Sequence, residues 1–250
     1  MQKKKLPYSG LLLTAVAIVL LCGAFTVSIS KGKNYKVLVF SKTNGYRHAS
    51  IEEGIAAIKL LGQQNNFSVV ATEDSLALNS KNLKQYKAVI FLSTTGSILG
   101  DAGEAALKQF VEAGGGFAGV HGAADCEYNR PWYVQLVGGS FESHPEQQQA
   151  KLLVKDASHP SARHLPAVWE RKDEWYNFKN LNPAVTTVLT IDEGSYKGGK
   201  NGAHHPMAWY HTVGKGRAFY TALGHTNECY KEAAFLQHLL GGIQYAAGIK

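Results

Sequence analysis

Cysteine is scarce in this chain of 250 residues: Cys22, Cys126 and Cys229 are all it has. Three cysteines are too few for a disulfide-stapled scaffold. There is no paired CxxC and no HExxH segment, so none of the familiar metal-ligand spacings is present. Charge is sparse too, at 18% Asp, Glu, Lys and Arg, and the seven prolines form no linker. With 45% hydrophobic residues this excludes a disordered chain and a coiled coil, while the 26 glycines follow no collagen period. What remains is enough apolar material for one sizeable core. The formal charge of +7 overstates the basic character, because Lys3, Lys4 and Lys5 lie in a leader and the balance without them is +4. No Lys/Arg-rich stripe runs along the rest, which argues against nucleic acid as a partner.

Those three lysines precede an uncharged run over residues 11–27, followed by small residues at Ser28 and Ser30. A basic start, a short apolar stretch and a small-residue cleavage site predict a secretory signal over residues 1–30. The alternative is an uncleaved N-terminal anchor, since about 17 apolar residues just span a bilayer. Cys22 suggests lipidation, but Leu21 before it is larger than such a site usually accepts. The expectation is an exported protein, periplasmic or anchored outside the cytoplasm, with one domain over residues 31–250 and no other membrane contact. Cys126 and Cys229 then either pair in an oxidising space or stay apart.

Residues 36–41 (KVLVFS) form a continuous β-branched run of the kind buried on both faces of a sheet. Asn44-Gly45 breaks it, and Ser50 with Glu53 has the spacing of a capping box at a helix start. Strands are predicted at 67–71, 87–92 and 117–120, with a helix at 103–113 ended by Gly114-Gly115-Gly116. Strands alternating with helices in this rhythm predict a parallel sheet covered on both faces. The second half is less regular, with strands predicted at 152–154, 185–191, 207–211 and 217–223 and a closing helix at 230–245.

In such sheets ligands bind beyond the carboxyl ends of the strands. His48, His121 and His225 each follow a predicted strand, which predicts a shared pocket. His121 sits in Gly119-Val120-His121-Gly122-Ala123, glycines placed as in a hydrolase elbow that exposes its nucleophile. A histidine there argues against a conventional acyl-enzyme. Asp125 either orients His121 or caps the next helix, and Cys126 has no base placed beside it to make it a nucleophile. Trp132 and Tyr133, with His144 downstream, mix aromatic plates with a polar tip in a way that suits the C–H faces of a sugar; plain core packing is the alternative. In Asp173-Glu174-Trp175-Tyr176, a buried Glu174 beside Tyr176 would have a raised pKa suited to acid–base work. His204-His205-Pro206 opens the 207–211 strand, and either His204 or His205 is placed to reach the same end of the sheet. No cofactor is required, though His48, His121, His205 and His225 include enough imidazole for a divalent metal.

These segments together carry a resemblance. Gly45-Tyr46-Arg47-His48, Gly119-Val120-His121-Gly122 with Asp125, Trp132 to His144-Pro145, Asp173-Glu174-Trp175-Tyr176, His205-Pro206-Met207-Ala208-Trp209 and Gly214-Lys215-Gly216-Arg217 through His225-Thr226 resemble the trehalose-utilisation, or ThuA-like, family from about Lys36 to Gly248. The resemblance implies a flavodoxin-like α/β three-layer sandwich with a mostly parallel central sheet, related to class I glutamine amidotransferases. Those enzymes carry cysteine where this chain has His121, so glutamine hydrolysis is not implied. What is implied is sugar use, including disaccharides and keto-sugar derivatives. The strand-end histidines beside the aromatic segment add the expectation of a hydrolase or lyase doing acid–base chemistry on a disaccharide, glycoside or keto-sugar. His121, Asp125 and Glu174 are then the expected catalytic residues. Tyr46, Arg47, His48, Trp132, Tyr133, His144, Tyr176, His205 and His225 are the expected sugar-binding ones. A non-catalytic sugar-binding accessory protein and a metal-dependent hydrolase are the competing readings.

Overall fold

The computed structural model describes residues 1–2 and 34–249, so the leader expected over residues 1–30 lies, but for its first two residues, outside the described part. Among the described residues no helix is long and apolar enough to cross a membrane. The first half alternates as the apolar runs predict: β1 (Tyr35–Phe40), α1 (Ile51–Gln64), β2 (Phe67–Thr72), α2 (Ser80–Leu83), β3 (Ala88–Leu92), α3 (Asp101–Glu112) and β4 (Gly116–Val120). Every residue of β3 and β4 is buried, as parallel strands covered on both faces require. The second half comprises α4 (Pro131–Val137), β5 (Ser140–Ser143), β6 (Gln148–Val154), β7 (Val168–Asp173), β8 (Asn177–Lys179), β9 (Thr186–Ile191), β10 (Pro206–Val213), β11 (Gly216–Thr221) and α5 (Ala233–Ala246).

Nine strands make one sheet in the order β2-β1-β3-β4-β11-β10-β9-β6-β7, and β5 pairs with β8 in a separate ribbon. The five strands from β2 to β11 are parallel and follow the 2-1-3-4-5 order of flavodoxin-like folds. From β11 to β7 every pairing is antiparallel, so the sheet expected to be mostly parallel is mixed. The parallel half sets the site. Leu92, Val120 and Thr221 are level in register, so the chain leaves β3, β4 and β11 at one edge, next to the reversal of strand order between β1 and β3.

The predicted capping box does not form. Ser50 is in the right-handed helical region without a side-chain cap, and its buried hydroxyl donates instead to the Gly224 carbonyl at 3.2 Å. A tertiary partner has taken the donor that the local spacing offered to the helix. Glu52 and Glu53 still favour the helix start through the macrodipole.

The closing helix packs against the middle of the sheet through glycine. A Cβ on Gly116, the first residue of β4, would lie 2.1 Å from the Ala246 carbonyl oxygen at the end of α5. Backbone cannot give way as a side-chain tip can. Gly116→Ala is expected to destabilise the protein by about 2–3 kcal/mol or more, measured by denaturant unfolding. Unchanged stability would mean that α5 does not seat this closely on β4.

Candidate active site

His48 belongs to the loop after β1, which Thr95 holds: its hydroxyl donates to the Tyr46 carbonyl at 2.8 Å, and its own carbonyl accepts from Asn44 N–H at 2.8 Å. The imidazole is 3% exposed, and its Nδ1 has no hydrogen-bond partner among the described residues. His121 follows β4 immediately, with φ +48°, at the start of a single 3-10 turn. Its Nδ1–H donates to the Ala222 carbonyl at 2.7 Å, and its own carbonyl accepts from Tyr220 at 2.8 Å. Gly122 lets this turn pass close beneath the β3 loop, since a Cβ there would sit 3.0 Å from the Thr94 carbonyl oxygen and press on backbone. His225 follows β11, just after Gly224 with φ +108°.

Glu174 comes from the antiparallel half, one residue beyond β7. The fully buried carboxylate of Asp173 fixes it, together with His225. Asp173 accepts from Glu174 N–H at 2.9 Å, His225 N–H at 3.2 Å and Gly224 N–H at 3.0 Å. Arg171, itself buried, places a guanidinium nitrogen 3.3 Å from Asp173 and 3.1 Å from Glu232.

The result is one cluster. His121 Nε2 lies 3.0 Å from His225 Nδ1 and 3.4 Å from Glu174 Oε2, and His225 Nδ1 lies 3.1 Å from that same oxygen. His144 Nδ1 approaches the other carboxylate oxygen at 3.2 Å. The ring of His48 stands edge-on to His121 and His225, with centroids 4.7 and 5.1 Å away. Tyr176 lies 4.4 Å from His121 and also 4.4 Å from Phe141. Beside them opens a cavity of about 340 Å³, walled also by Tyr46, Asp125 and Gln147. That is within the range of small-molecule sites. A hollow of equal volume beside α2 and α3 has no histidine or carboxylate in its lining.

The electrostatics differ from expectation at Glu174. Burial alone would raise its pKa, but when His121 and His225 carry protons toward it their hydrogen bonds and charge outweigh burial and hold the carboxyl well below the usual range. It is therefore ionised rather than kept protonated. Burial, then the neighbouring His121 and His225, lowers His48 to about 3, so it is neutral at ordinary pH. Burial raises Asp125, against the bond it accepts from the Tyr128 hydroxyl.

The structure thus brings His48, His121, Glu174 and His225 together and sets Tyr46, Asp125, His144 and Tyr176 around the cavity. Four expected residues fall outside it. Arg47 is exposed and pairs with Glu52 at 2.6 Å and Glu73 at 2.7 Å. Trp132 lies in another surface hollow, beside Arg130 and Asp101. Tyr133 is core, its hydroxyl donating to the Ala123 carbonyl at 2.9 Å. His205 is fully buried, donating from Nε2 to the Tyr176 carbonyl at 2.7 Å with Glu193 2.7 Å from Nδ1, so it supports the Tyr176 backbone rather than reaching a ligand. Asp125 neither bonds His121 nor caps α4, whose cap position is Arg130. Cys126 and Cys229 are separate buried thiols, and burial raises the pKa of both. Asp173 was missed as an organiser, because backbone N–H partners leave no trace in side-chain spacing.

The model of one protein family, ThuA, described as trehalose utilisation, matches residues 36–246. A ThuA-like protein from Bacteroides uniformis has a similar structure, with 23% identity, a TM-score of 0.74, and coverage of 89% of this chain and 95% of that one. A ThuA-like protein from Parabacteroides merdae gives 20% identity and a TM-score of 0.73, covering 87% and 91%. A β-galactosidase from Bacillus circulans shares the fold over 87% of this chain but only 31% of its own, at 15% identity and a TM-score of 0.57. No curated protein matches the sequence.

The Asp173 carboxylate yields a direct test. Asp173→Asn keeps the shape but leaves Arg171 buried with less compensation and replaces one acceptor oxygen by a donor. It is expected to cost about 3–5 kcal/mol of stability, read by denaturant unfolding. A loss below about 1 kcal/mol would show that the carboxylate charge is not what holds the two loops.

Proposed function

The chain belongs to the ThuA family, described as trehalose utilisation, and on that premise we propose that the histidine–carboxylate pocket binds a small carbohydrate and moves a proton on it. The observation that carries this reading is the pair of carboxylates with opposite tendencies on one cavity. Glu174 is held ionised among imidazoles, while Asp125 is pushed toward keeping its proton. Environments that drive two carboxyl groups apart in pKa assign one as the charged partner and the other as the acid.

In this reading Glu174, His121 and His225 act as a unit that takes a proton from a sugar hydroxyl or from the carbon beside a sugar carbonyl. Asp125 carries the proton. Tyr46, Phe141 and Tyr176 offer aromatic faces for the C–H side of the ring, and the exposed His144 is a polar contact at the rim. The substrate is a disaccharide, glycoside or keto-sugar, and the reaction that of a hydrolase or lyase. The layers are read as those of the three-layer amidotransferase-like sandwich, with His121 at the elbow in place of a nucleophilic thiol. The basic Lys3–Lys5 and the apolar run over residues 11–27 support export.

The test is incubation with disaccharides and their keto derivatives in heavy water, followed by NMR. New products, or deuterium entering beside a carbonyl, are expected. His121→Ala and Asp125→Asn should lower the rate by about 10²–10⁴-fold. If no sugar is converted or exchanged, or His121→Ala turns over as fast as the native chain, the reading fails.

A further inference from the structure

The proton count at the cluster does not close. His121 Nδ1 spends its hydrogen on the Ala222 carbonyl, so Nε2 of the neutral ring is a bare lone pair. That lone pair faces Glu174 Oε2 at 3.4 Å and His225 Nδ1 at 3.0 Å, and the latter two lie 3.1 Å apart. A hydrogen on His225 Nδ1 cannot fully serve both neighbours, and it leaves the His121–Glu174 contact as lone pair against lone pair. Something positive belongs between the three atoms. A second proton on His121 or a bound cation would supply it, and the buried His48, whose Nδ1 has no hydrogen-bond partner among the described residues, adds a fourth donor residue beside them.

From these observations we infer that His48, His121, Glu174 and His225 together bind one divalent first-row transition cation. The inference rests on the sugar-pocket reading only for the use made of the ion. One donor atom from each of the four residues lies within 4.8 Å of the others. Donors sharing an ion at about 2.1 Å lie roughly 3–4 Å apart, and the three distances above fall in that span. Three imidazoles and a carboxylate suit zinc, manganese, iron, cobalt or nickel, whereas calcium and magnesium prefer oxygen alone.

The supporting contacts are those a metal site needs. The Ala222 carbonyl fixes the His121 tautomer so that Nε2 points inward. His144 approaches the outer oxygen of Glu174. Asp173 anchors the backbone of both Glu174 and His225. The adjoining cavity leaves one side open to a sugar oxygen, and Asp125, on its wall but outside the four-residue group, stays free to carry the proton. When bound, the ion supplies a Lewis acid for that oxygen.

The test uses the full chain without a histidine tag, stripped with chelator and titrated separately with zinc and cobalt ions. Elemental analysis and the cobalt absorption bands are the readouts. One ion per chain is expected, with affinity falling by about 100-fold or more in Glu174→Gln, which is nearly isosteric, and in His48→Ala. Asp125→Asn should keep the full metal content while losing turnover. The inference is overturned if no ion binds the native chain more tightly than it binds Glu174→Gln and His48→Ala. Sugar turnover without metal uptake likewise overturns the metal site and leaves the sugar reading standing. Uptake without any sugar converted supports the metal site and removes the sugar reading.

Discussion

Asp173 is a fully buried carboxylate whose two oxygens collect three backbone N–H groups, from Glu174, Gly224 and His225. Hydrogen bonds to a charged acceptor are worth about 1.5–3 kcal/mol each, and here they tie the end of β7 to the loop after β11. Those two strands are four places apart in the sheet. Without this clasp Glu174 and His225 would sit on independent loops. The buried charge is tolerable because Arg171 answers it from the same strand, its guanidinium resting over Trp169 and Phe235 at 4.8 and 5.1 Å. Two residues apart on β7, Arg171 and Asp173 face the same side by the period of the strand.

The two halves of the sheet therefore do different work. The parallel half delivers His48, His121 and His225 to one edge, because all three follow strands that run the same way. The antiparallel half adds the carboxylate those imidazoles need. A purely parallel sheet would supply the histidines without Glu174, whose low pKa depends on them. Tyr176, two residues on, closes the aromatic wall, and His205 behind it holds that backbone in place.

What the sequence made legible follows the same division. Continuous apolar runs such as KAVIFL and the glycine breaks marked every element from β1 to β4 except the short α2. The three strand-end histidines followed from that, since a residue just past a parallel strand has only one place to go. β7 was not legible: in VWERKD the inward residues are Trp169, Arg171 and Asp173, so the alternation is real but two of its three buried positions are charged. Nor were β5 and β8, which are four and three residues long. Trp132 and Tyr133 had the right chemistry for a sugar wall, yet α4 turns one to a different hollow and the other into the core. Arg47 was drawn outward by Glu52 and Glu73, one of them distant in sequence. The pKa of Glu174 could not be read from burial alone, because its sign depends on partners contributed by β4 and β11.

The backbone at His121 explains why the cluster stays assembled. A non-glycine residue at φ +48° is strained by about 1–2 kcal/mol, and such strain persists only where the surroundings over-determine it. They do so here from three directions. The Ala222 carbonyl takes the ring N–H, Tyr220 donates to the main-chain carbonyl, and the Thr94 carbonyl presses close on Gly122. The first two come from β11 and the segment leaving it, the same stretch that carries His225. Any movement of that segment would displace both imidazoles together rather than separate them. On the proposed reading, a site held this way would meet developing charge with groups already in position, which is where electrostatic catalysis gains most over water.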